Sequence, residues 1–206
     1  MVRKLRSHAL SPRQVLVVDA FISLDLCDQI LGDLDCSYWH SSSVIQRRSG
    51  RLHTEIREHF RASVTAQQRW FGPKLLGIIK RMEQQLSVLL QCDPRRLESW
   101  QATRYEKGGH FDYHVDGGQW KRSAGGDRRR TFLIYLDAPR QGGETHFRAL
   151  DITVAPKPGR LVAWENLLPT GECDHAMIHG GLEVRNGTKT TLVTWERERS
   201  IRKESN

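Results

Sequence analysis

Residues 110–116 read His-Phe-Asp-Tyr-His-Val-Asp, with glycine on both sides, so every second residue is a side chain that can bind a metal ion. In a β-strand, alternate side chains point to the same face. A histidine and a carboxylate two residues apart could therefore share one metal. Spacing alone allows three such pairs, which are His110 with Asp112, Asp112 with His114, and His114 with Asp116.

A third ligand from another strand would complete the set of two histidines and one carboxylate that holds Fe(II) and leaves coordination positions open. His175 and His179 are both candidates, because they are four residues apart and would share one face of a strand. Spacing does not decide between them. The sequence therefore indicates a metal site built on a sheet, with the register of its ligands left open.

From about residue 99 onward, short β-type runs alternate with glycine-containing turns. The predicted strands span residues 99–105, 111–116, 131–136, 161–164, 176–184 and 188–196. This pattern predicts an α+β, mainly β fold, whose core is an antiparallel double-stranded β-helix (jelly roll) backed by N-terminal helices.

The first half is predicted to supply those helices. Residues 15–22 indicate a buried strand, and Ser23 can cap a helix that ends near Cys36. Pro73 stands where a first helical residue belongs, and apolar residues follow it at spacings of one, three and four. A further short helix is predicted around residues 54–60.

The length of 206 residues and the hydrophobic content of 38% predict one domain with one sizeable core. Within this single domain, spanning residues 1–206, we assign residues 1–98 to a helical support region and residues 99–197 to the jelly-roll catalytic core.

A net charge of +8 invites acidic partners, but the positive charge is bunched in short runs that we interpret mainly as solvated loop charge. The four cysteines are scattered without a C-x-x-C pair, and the first apolar run is too short for a secretion signal or a membrane span. We therefore expect a reducing, cytoplasmic setting and no membrane partner. The sequence does not indicate the oligomeric state.

The second half of the chain resembles the catalytic domain of prolyl 4-hydroxylases. The first motif of that family, Y-x-x-G-x-x-Y-x-x-H-x-D, matches Tyr105, Gly108, Phe111, His114 and Asp116, with Phe in the second Tyr place. This match selects the pair His114 and Asp116 among the three that spacing allows.

The later motifs follow in the same order. They are the apolar strand at 131–136, Gly-Gly-Glu-Thr at 142–145, the G-x-x-V-x-W-x-N-L block at 159–167, and G-E-x-D at 171–174. A final His, with Lys ten residues later and Trp sixteen later, fits His179 and fails from His175. Residues 18–21 and 27–28 also resemble the opening strand and helix of the family, so most of the chain is covered.

The resemblance implies an iron- and 2-oxoglutarate-dependent hydroxylase, whose Fe(II) is held by His114, Asp116 and His179. Its co-substrates are 2-oxoglutarate and O2, ascorbate is the expected reductant, and a prolyl residue in a peptide or protein is the expected substrate. A carboxylate at Asp116, rather than Gly or Ala, leaves no coordination position for a halide and so favours hydroxylation over halogenation.

The resemblance also assigns the co-substrate residues. Lys189 is the buried cation that neutralises the far carboxylate of 2-oxoglutarate. Tyr105 and Tyr135 match positions whose hydroxyls contact the co-substrate, and Trp195 faces inward on the strand of Lys189. If residues 185–187 form a three-residue hairpin loop with a left-handed glycine at its end, Lys189 faces the same side as His179.

Residues 117–130 correspond to a loop that folds over the substrate in the family, and we expect it to be mobile. Arg128 stands near a family arginine that contacts substrate. The substrate remains open, because residues 182–183 are Leu-Glu where many relatives have Cys-Pro.

The first alternative is hydroxylation of a free or carrier-bound amino acid or of a peptide natural product. A nucleic-acid demethylase is less favoured, because only Arg185 lies between His179 and Trp195, where such enzymes place arginines that bind the co-substrate. A jelly-roll binding module without catalysis is disfavoured by the complete set of ligands.

Overall fold

The computed structural model describes residues 10–48 and 51–203. No helix within these two ranges has the length and hydropathy needed to cross a membrane.

The two α-helices lie where the sequence predicts them, α1 at Leu24–Leu34 and α2 at Pro73–Leu90. The hydroxyl of Ser23 caps α1 by accepting a hydrogen bond from the backbone N–H of Leu26 at 3.2 Å. Pro73 opens α2, where its missing N–H leaves no helical hydrogen bond unmade. Short 3-10 helices lie at Gln68–Trp70, Pro94–Arg96 and His175–Met177.

The remaining regular structure is β. In the first half the strands are β1 Val15–Val18, β2 Trp39–Ser41, β3 Val44–Arg48, β4 Arg51–Glu55, β5 Arg61–Ala62 and β6 Val64–Gln67. In the second half they are β7 Gln101–Tyr105, β8 His110–His114, β9 Arg128–Tyr135, β10 Gln141–Gly142, β11 Thr145–Phe147, β12 Ile152–Val154, β13 Leu161–Glu165, β14 His179–Gly181, β15 Val184–Asn186 and β16 Lys189–Arg197.

Two antiparallel sheets form the core. The larger has seven strands in the order β1-β13-β9-β16-β7-β6-β2, and the smaller has five in the order β12-β11-β14-β8-β5. Two ribbons, β10-β15 and β3-β4, complete the strand pairing. The prediction of a mainly β, antiparallel double-sheet core backed by helices is confirmed.

Both faces of the larger sheet are covered. Alternate residues of β13 divide between two apolar clusters: Leu161 and Ala163 pack with the two helices, whereas Val162 and Trp164 pack toward the smaller sheet. Because each face has its own apolar cover, all five residues of β13 are buried. Strands β2, β5 and β6 show that the first half contributes to both sheets as well as supplying the helices; the domain division itself stays a prediction.

The strand predicted at 15–22 is too long. It ends at Val18, because Asp19 turns outward to pair with Lys157 and Arg160, and Ala20 adopts a left-handed backbone with φ of 52°. The chain then bends so that the N–H of Ile22 reaches the backbone carbonyl of Gly159.

Two other local predictions are wrong. Residues 54–60 form no helix, because the first of them belong to β4 and pair with β3, and a turn follows. The single strand predicted at 176–184 is a 3-10 turn followed by the short strands β14 and β15. These two strands pair with different partners, β14 with β8 and β11, and β15 with β10.

The interpretation of the basic runs as solvated charge is wrong for several arginines. Arg128 and Arg197 both pair with Glu98 at 2.8 Å, and Arg130 is buried against Glu196. These charges stabilise contacts between elements instead of facing solvent. The side chains of residues 47 and 48 lie outside the described residues.

Candidate active site

The ligand atoms of His114, Asp116 and His179 converge at one point between the two sheets. Each residue offers one ligand atom, and the three atoms lie within 4.8 Å of one another. The antiparallel pairing of β8 with β14 places His114 directly opposite His179. Asp116 follows two residues after the end of β8, and its two oxygens lie 3.7 Å from the Nε2 atoms of the two histidines.

Backbone carbonyls fix the orientation of both imidazoles. Nδ1 of His114 lies 2.8 Å from the carbonyl oxygen of Asp112, and Nδ1 of His179 lies 3.0 Å from that of Met177. A carbonyl oxygen only accepts, so Nδ1 must carry the proton and Nε2 keeps its lone pair for a metal. Burial lowers the pKa of His114 to about 3, which keeps this ring neutral and able to bind a cation.

The carboxylate of Asp116 is held by a chain of buried hydrogen bonds. The hydroxyl of Thr131 donates to Oδ2 of Asp116 at 2.7 Å, and the amide of Asn166 donates to the Thr131 oxygen at 2.8 Å. Burial raises the pKa of this carboxyl, but its interactions with His179, His114, Arg128 and the Thr131 hydroxyl together outweigh burial and lower it. The residue is therefore a carboxylate across the usual pH range.

A cavity of about 560 Å³, counting the space that opens to solvent, extends from the three ligands into the space between the sheets. Alternate residues of β16 form one wall, namely Lys189, Thr191, Val193 and Trp195. The hairpin that we expected to precede Lys189 is absent from the described residues, because β15 pairs with β10. Gly187 has the expected left-handed backbone with φ of 91°, and Lys189 does share the cavity with His179.

The ammonium of Lys189 is a cation with few partners in this cavity. Its side chain is 2% exposed, and Nζ donates to the carbonyl of Gly143 at 3.0 Å and lies 4.2 Å from the ring centroid of Tyr105. No ion pair in the described parts of the chain involves it, and burial lowers its pKa to about 8. A carboxylate entering the cavity would relieve this cost.

Other polar groups in the wall also lack partners. The indole N–H groups of Trp164 and Trp195 are buried without an acceptor among the described residues, and both rings line the cavity. Unpaired buried donors are costly, which indicates a ligand with several acceptor oxygens. Lys189 and the indoles at the wall, together with the three metal ligands, fit a divalent iron and a dicarboxylate such as 2-oxoglutarate.

The two predicted tyrosines differ in position. Tyr105 lines the cavity, and burial raises its pKa. Tyr135 lies behind the wall: its hydroxyl is 2.5 Å from that of Thr145, which does line the cavity, and burial raises the pKa of Tyr135 as well. A direct contact of Tyr135 with the co-substrate stays a prediction.

A second cavity, about 1160 Å³ including its open mouth, reaches the metal ligands from outside. We call it the outer cleft. Its lining includes His114, Asp116, Trp120, Arg128 and Trp195. The guanidinium of Arg128 lies 3.6 Å from the ring centroid of Trp195 and makes two 2.8 Å hydrogen bonds to one carboxylate, that of Glu98. Arg128 is thus fixed in place at the cleft.

The loop expected to be mobile is anchored at several points. The carboxylate of Asp127 accepts hydrogen bonds from the backbone N–H groups of Gly118 and Trp120. Arg197 donates to the carbonyl of Gly126, and Arg199 donates to that of Ala124. Mobility of this segment stays a prediction.

The other histidines considered from the sequence lie elsewhere. The ring of His110 hydrogen-bonds the backbone carbonyls of Gly108 and His59, and His175 belongs to a 3-10 helix. Among the described residues, the three-residue group of His114, Asp116 and His179 is the one arrangement able to hold a metal. Their assignment as iron ligands remains a proposal.

Sequence reasoning missed Thr131, Asn166 and Arg61. Thr131 and Asn166 act on the carboxylate of Asp116 from strands distant in sequence, although Asn166 stands in the G-x-x-V-x-W-x-N-L motif and could have been singled out. Arg61 lies on β5, stacks 4.4 Å from the ring centroid of Phe111 and lines both cavities. Nothing local in its polar surroundings indicates this position.

Comparison with known proteins finds a family model and relatives that match the region of this site. Residues 100–197 match the model of the 2OG-Fe(II) oxygenase superfamily. The chain is 30% identical to prolyl 4-hydroxylase subunit alpha-1 of Gallus gallus over 164 residues, which are 77% of this chain and 31% of that protein. It is 28% identical to prolyl 4-hydroxylase 1 of Arabidopsis thaliana, over 92% of this chain and 70% of the relative. The chain thus spans about a third of the animal relatives' length.

Solved structures share the fold. A viral collagen prolyl hydroxylase from Paramecium Bursaria Chlorella virus-1 superimposes with a TM-score of 0.60 at 22% identity, covering 89% of this chain and 94% of the other. A prolyl-4-hydroxylase of Pseudomonas putida gives 0.59 at 18% identity, covering 90% and 93%. The jelly-roll fold and the resemblance that the motifs carry are confirmed.

Proposed function

We propose that this chain, a member of the 2OG-Fe(II) oxygenase superfamily, is an Fe(II)- and 2-oxoglutarate-dependent hydroxylase of a prolyl residue in a peptide or protein. The observation that carries the proposal is one cavity with two ends of different chemistry. Three convergent ligand atoms stand at one end, and the buried ammonium of Lys189 stands in the same cavity with no carboxylate partner among the described residues.

His114, Asp116 and His179 would hold the iron. When bound, iron and 2-oxoglutarate supply the oxidising chemistry: O2, 2-oxoglutarate and a substrate C–H bond become succinate, CO2 and a C–OH group. The chain's own contribution is to keep two imidazoles and one carboxylate in a fixed arrangement. The carbonyls behind the imidazoles and the hydroxyl of Thr131 behind Asp116 provide that arrangement.

Lys189 would bind the far carboxylate of 2-oxoglutarate. An ammonium has three N–H donors, and the structure gives this one a single short hydrogen bond, to Gly143. Gly181 leaves space beside it, since a Cβ at this position would stand 3.3 Å from Nζ. A carboxylate that enters here gains an ion pair in a site from which water is largely excluded.

Apolar side chains separate the two ends of the cavity. Leu133, Val193 and the ring of Trp164 line the same cavity as the metal ligands and Lys189. They limit the water around the reacting group and direct the co-substrate along the cavity. Thr145, which hydrogen-bonds Tyr135, and Tyr105 supply hydroxyls along the same wall.

The outer cleft would receive the substrate. It meets the metal ligands at His114 and Asp116 and opens to solvent, so a residue within a longer chain can reach them. The relatives at 30% identity or just below are named prolyl 4-hydroxylases, and this supports proline as the target residue. Arg128, held at the cleft by Glu98, is the proposed substrate contact.

The cytoplasmic setting and the single-domain organisation belong to the same proposal. All four cysteines are free thiols in the structure, as expected for a reducing compartment.

The test is incubation with Fe(II), 2-oxoglutarate, ascorbate and a set of proline-containing peptides, followed by mass spectrometry and by succinate measurement. We expect one oxygen atom on proline, with matching succinate, and neither in Asp116→Ala. Oxygen transfer only to a free amino acid would contradict the peptide assignment, and no succinate with any substrate would contradict the enzyme.

A further inference from the structure

Three aromatic side chains form an exposed patch beside the outer cleft. Trp70 ends the 3-10 helix before α2, Tyr38 precedes β2, and His40 lies within β2. Tyr38 is 61% exposed and Trp70 is 51% exposed. We call these three residues the aromatic patch. Large aromatic side chains are usually well buried, so two neighbouring ones left open to solvent indicate a binding surface.

The three rings follow one another in a row. The ring centroids of Trp70 and Tyr38 are 5.8 Å apart in an edge-to-face arrangement, and those of Tyr38 and His40 are 6.1 Å apart. Between Tyr38 and His40, Trp39 anchors the strand, because its indole N–H donates to the carbonyl of Leu34 at 3.0 Å. The patch therefore stands on fixed secondary structure.

The row leads into the outer cleft. His40 lines that cleft together with His114 and Asp116, so one continuous surface joins the metal ligands to the aromatic patch. Strand β2 is also the edge of the seven-stranded sheet. A chain that leaves the cleft past His40 would meet Tyr38 next and then Trp70.

The charges around the patch favour a neutral chain over a nucleic acid. Arg104 pairs with Asp35 at 3.1 Å, and Lys74 lies 3.6 Å from Asp33. Arg69 is a further cation beside the patch, with its guanidinium 5.6 Å from the Trp70 ring centroid. A phosphate backbone is bound by several unpaired cations, which this surface does not offer.

From this arrangement we infer that the aromatic patch is a distal subsite for a proline-rich extended segment of the substrate chain, adjoining the residue to be hydroxylated. Prolines bind aromatic surfaces as a preformed polyproline II helix, which loses little entropy on binding. That helix rises about 3.1 Å per residue, so each step between neighbouring rings matches about two residues. The inference rests on the proposed function for the identity of the adjoining site.

If the aromatic patch is such a subsite, the affinity for a peptide should depend on the length of that peptide. A peptide of about 4 prolines spans only about 12 Å, whereas one of about 12 spans about 37 Å and can follow the row of rings beyond the cleft, given the rise of the polyproline helix. Binding of the long peptide should depend on Tyr38 and Trp70. Binding of the short peptide should not.

The experiment compares the binding of both peptides to the metal-free full-length protein by calorimetry, using the wild type and the double variant Tyr38→Ala/Trp70→Ala. Trp70→Phe keeps an aromatic ring, and Leu24→Ala, which is 64% exposed on α1, is the matched control. We expect about a tenfold loss of affinity for the long peptide in the double variant alone, the factor that corresponds to 1.4 kcal/mol.

Equal affinity of the wild type for the two peptides, or equal losses in the double variant and in Leu24→Ala, would overturn the subsite. Binding of a single-stranded oligonucleotide that depends on Trp70 more strongly than peptide binding would overturn it in favour of a nucleic acid. These binding measurements involve no turnover, so they are independent of the hydroxylation test. If the protein hydroxylates short peptides but its affinity does not depend on peptide length, the proposed function stands and the proposed subsite is wrong.

Discussion

The hydroxyl of Thr131 donates a 2.7 Å hydrogen bond to Oδ2 of Asp116 and is itself fixed by the amide of Asn166. Thr131 and Asn166 are almost fully buried, at 1% and 2% exposure. A carboxylate held in this way keeps one rotamer, so Oδ1 stays 3.7 Å from Nε2 of His114 and Oδ2 stays 3.7 Å from Nε2 of His179. The metal site thus depends on residues that do not contact the metal.

We expect Thr131→Val to weaken metal binding by about 10- to 100-fold, the usual cost of removing a partner behind a ligand. Valine keeps the shape of threonine and removes the hydroxyl. The measurement is the dissociation constant for Mn(II) or Co(II), which needs no turnover. Thr191→Val is the control, because Thr191 lines the same cavity on the neighbouring strand. Equal losses in both variants would mean that general packing, rather than the bond to Asp116, is responsible.

Substitution of a proposed metal ligand should have a much larger effect than substitution of another nearby histidine. His114→Ala, Asp116→Ala and His179→Ala should each abolish iron binding and turnover, because two ligands leave the metal under-coordinated. His110→Ala and His175→Ala should retain a measurable fraction of both. Elemental analysis of the iron content tests this difference between the two groups of variants. If His114→Ala keeps its iron and His110→Ala loses it, the assignment of His114 and Asp116 as the ligand pair is wrong.

Lys189→Ala should raise the 2-oxoglutarate requirement by about two to three decades, since breaking a buried charge pair costs about 3–5 kcal/mol and each 1.4 kcal/mol is tenfold. Lys189→Arg should rescue only in part, because the guanidinium is longer and planar. The measurement is the KM for 2-oxoglutarate alongside direct binding. Unchanged affinity in Lys189→Ala would remove this residue from the co-substrate site.

The same lysine predicts a pH dependence. Its pKa is lowered to about 8 by burial, so the ammonium is charged at pH 7 and loses its charge as the pH rises through about 8. The KM for 2-oxoglutarate should therefore increase above that pH. In Lys189→Arg the increase should be absent, because arginine stays protonated. An equal rise in both proteins would assign the pH effect to another group.

The sequence predicted most of what depends on local pattern. Pro73 and the apolar spacing behind it located α2, and the alternation at 110–116 located the ligand strand, with the family motif selecting its register. In contrast, β5 is two residues long and exists because Arg61 and Ala62 pair with Phe111 and His110 about fifty residues away. No local preference encodes such pairing, so a helix was expected just before it.

The wrong or missing predictions near the site also arise from contacts between residues that are distant in sequence. Residues 176–184 suggested one strand, but the glycines at 180 and 181 lie close to β8 and Lys189, and the chain must change partner between β14 and β15. Thr131 and Asn166 were missed because their roles arise from three strands meeting, which no single stretch of sequence displays.

Arg128 provides the last prediction, since it is both a proposed substrate contact and part of an ion pair. Its guanidinium binds both oxygens of Glu98, which Arg197 also contacts. Burial raises the pKa of Glu98, but the two arginines together outweigh burial and lower it, so Glu98 is charged.

Arg128→Ala should raise the substrate KM about tenfold, a loss of about 1.4 kcal/mol, while sparing the slow conversion of 2-oxoglutarate that occurs without substrate. The hydrogen bonds of this guanidinium go to Glu98 and not to a metal ligand or to Lys189. Glu98→Gln is the matched control: it removes the ion pair but keeps the guanidinium over Trp195, so substrate affinity should survive. The decisive comparison is hydroxylated product against succinate. If both variants lose both products equally, Arg128 supports the structure of the cleft; if Arg128→Ala loses neither, it does not contact substrate.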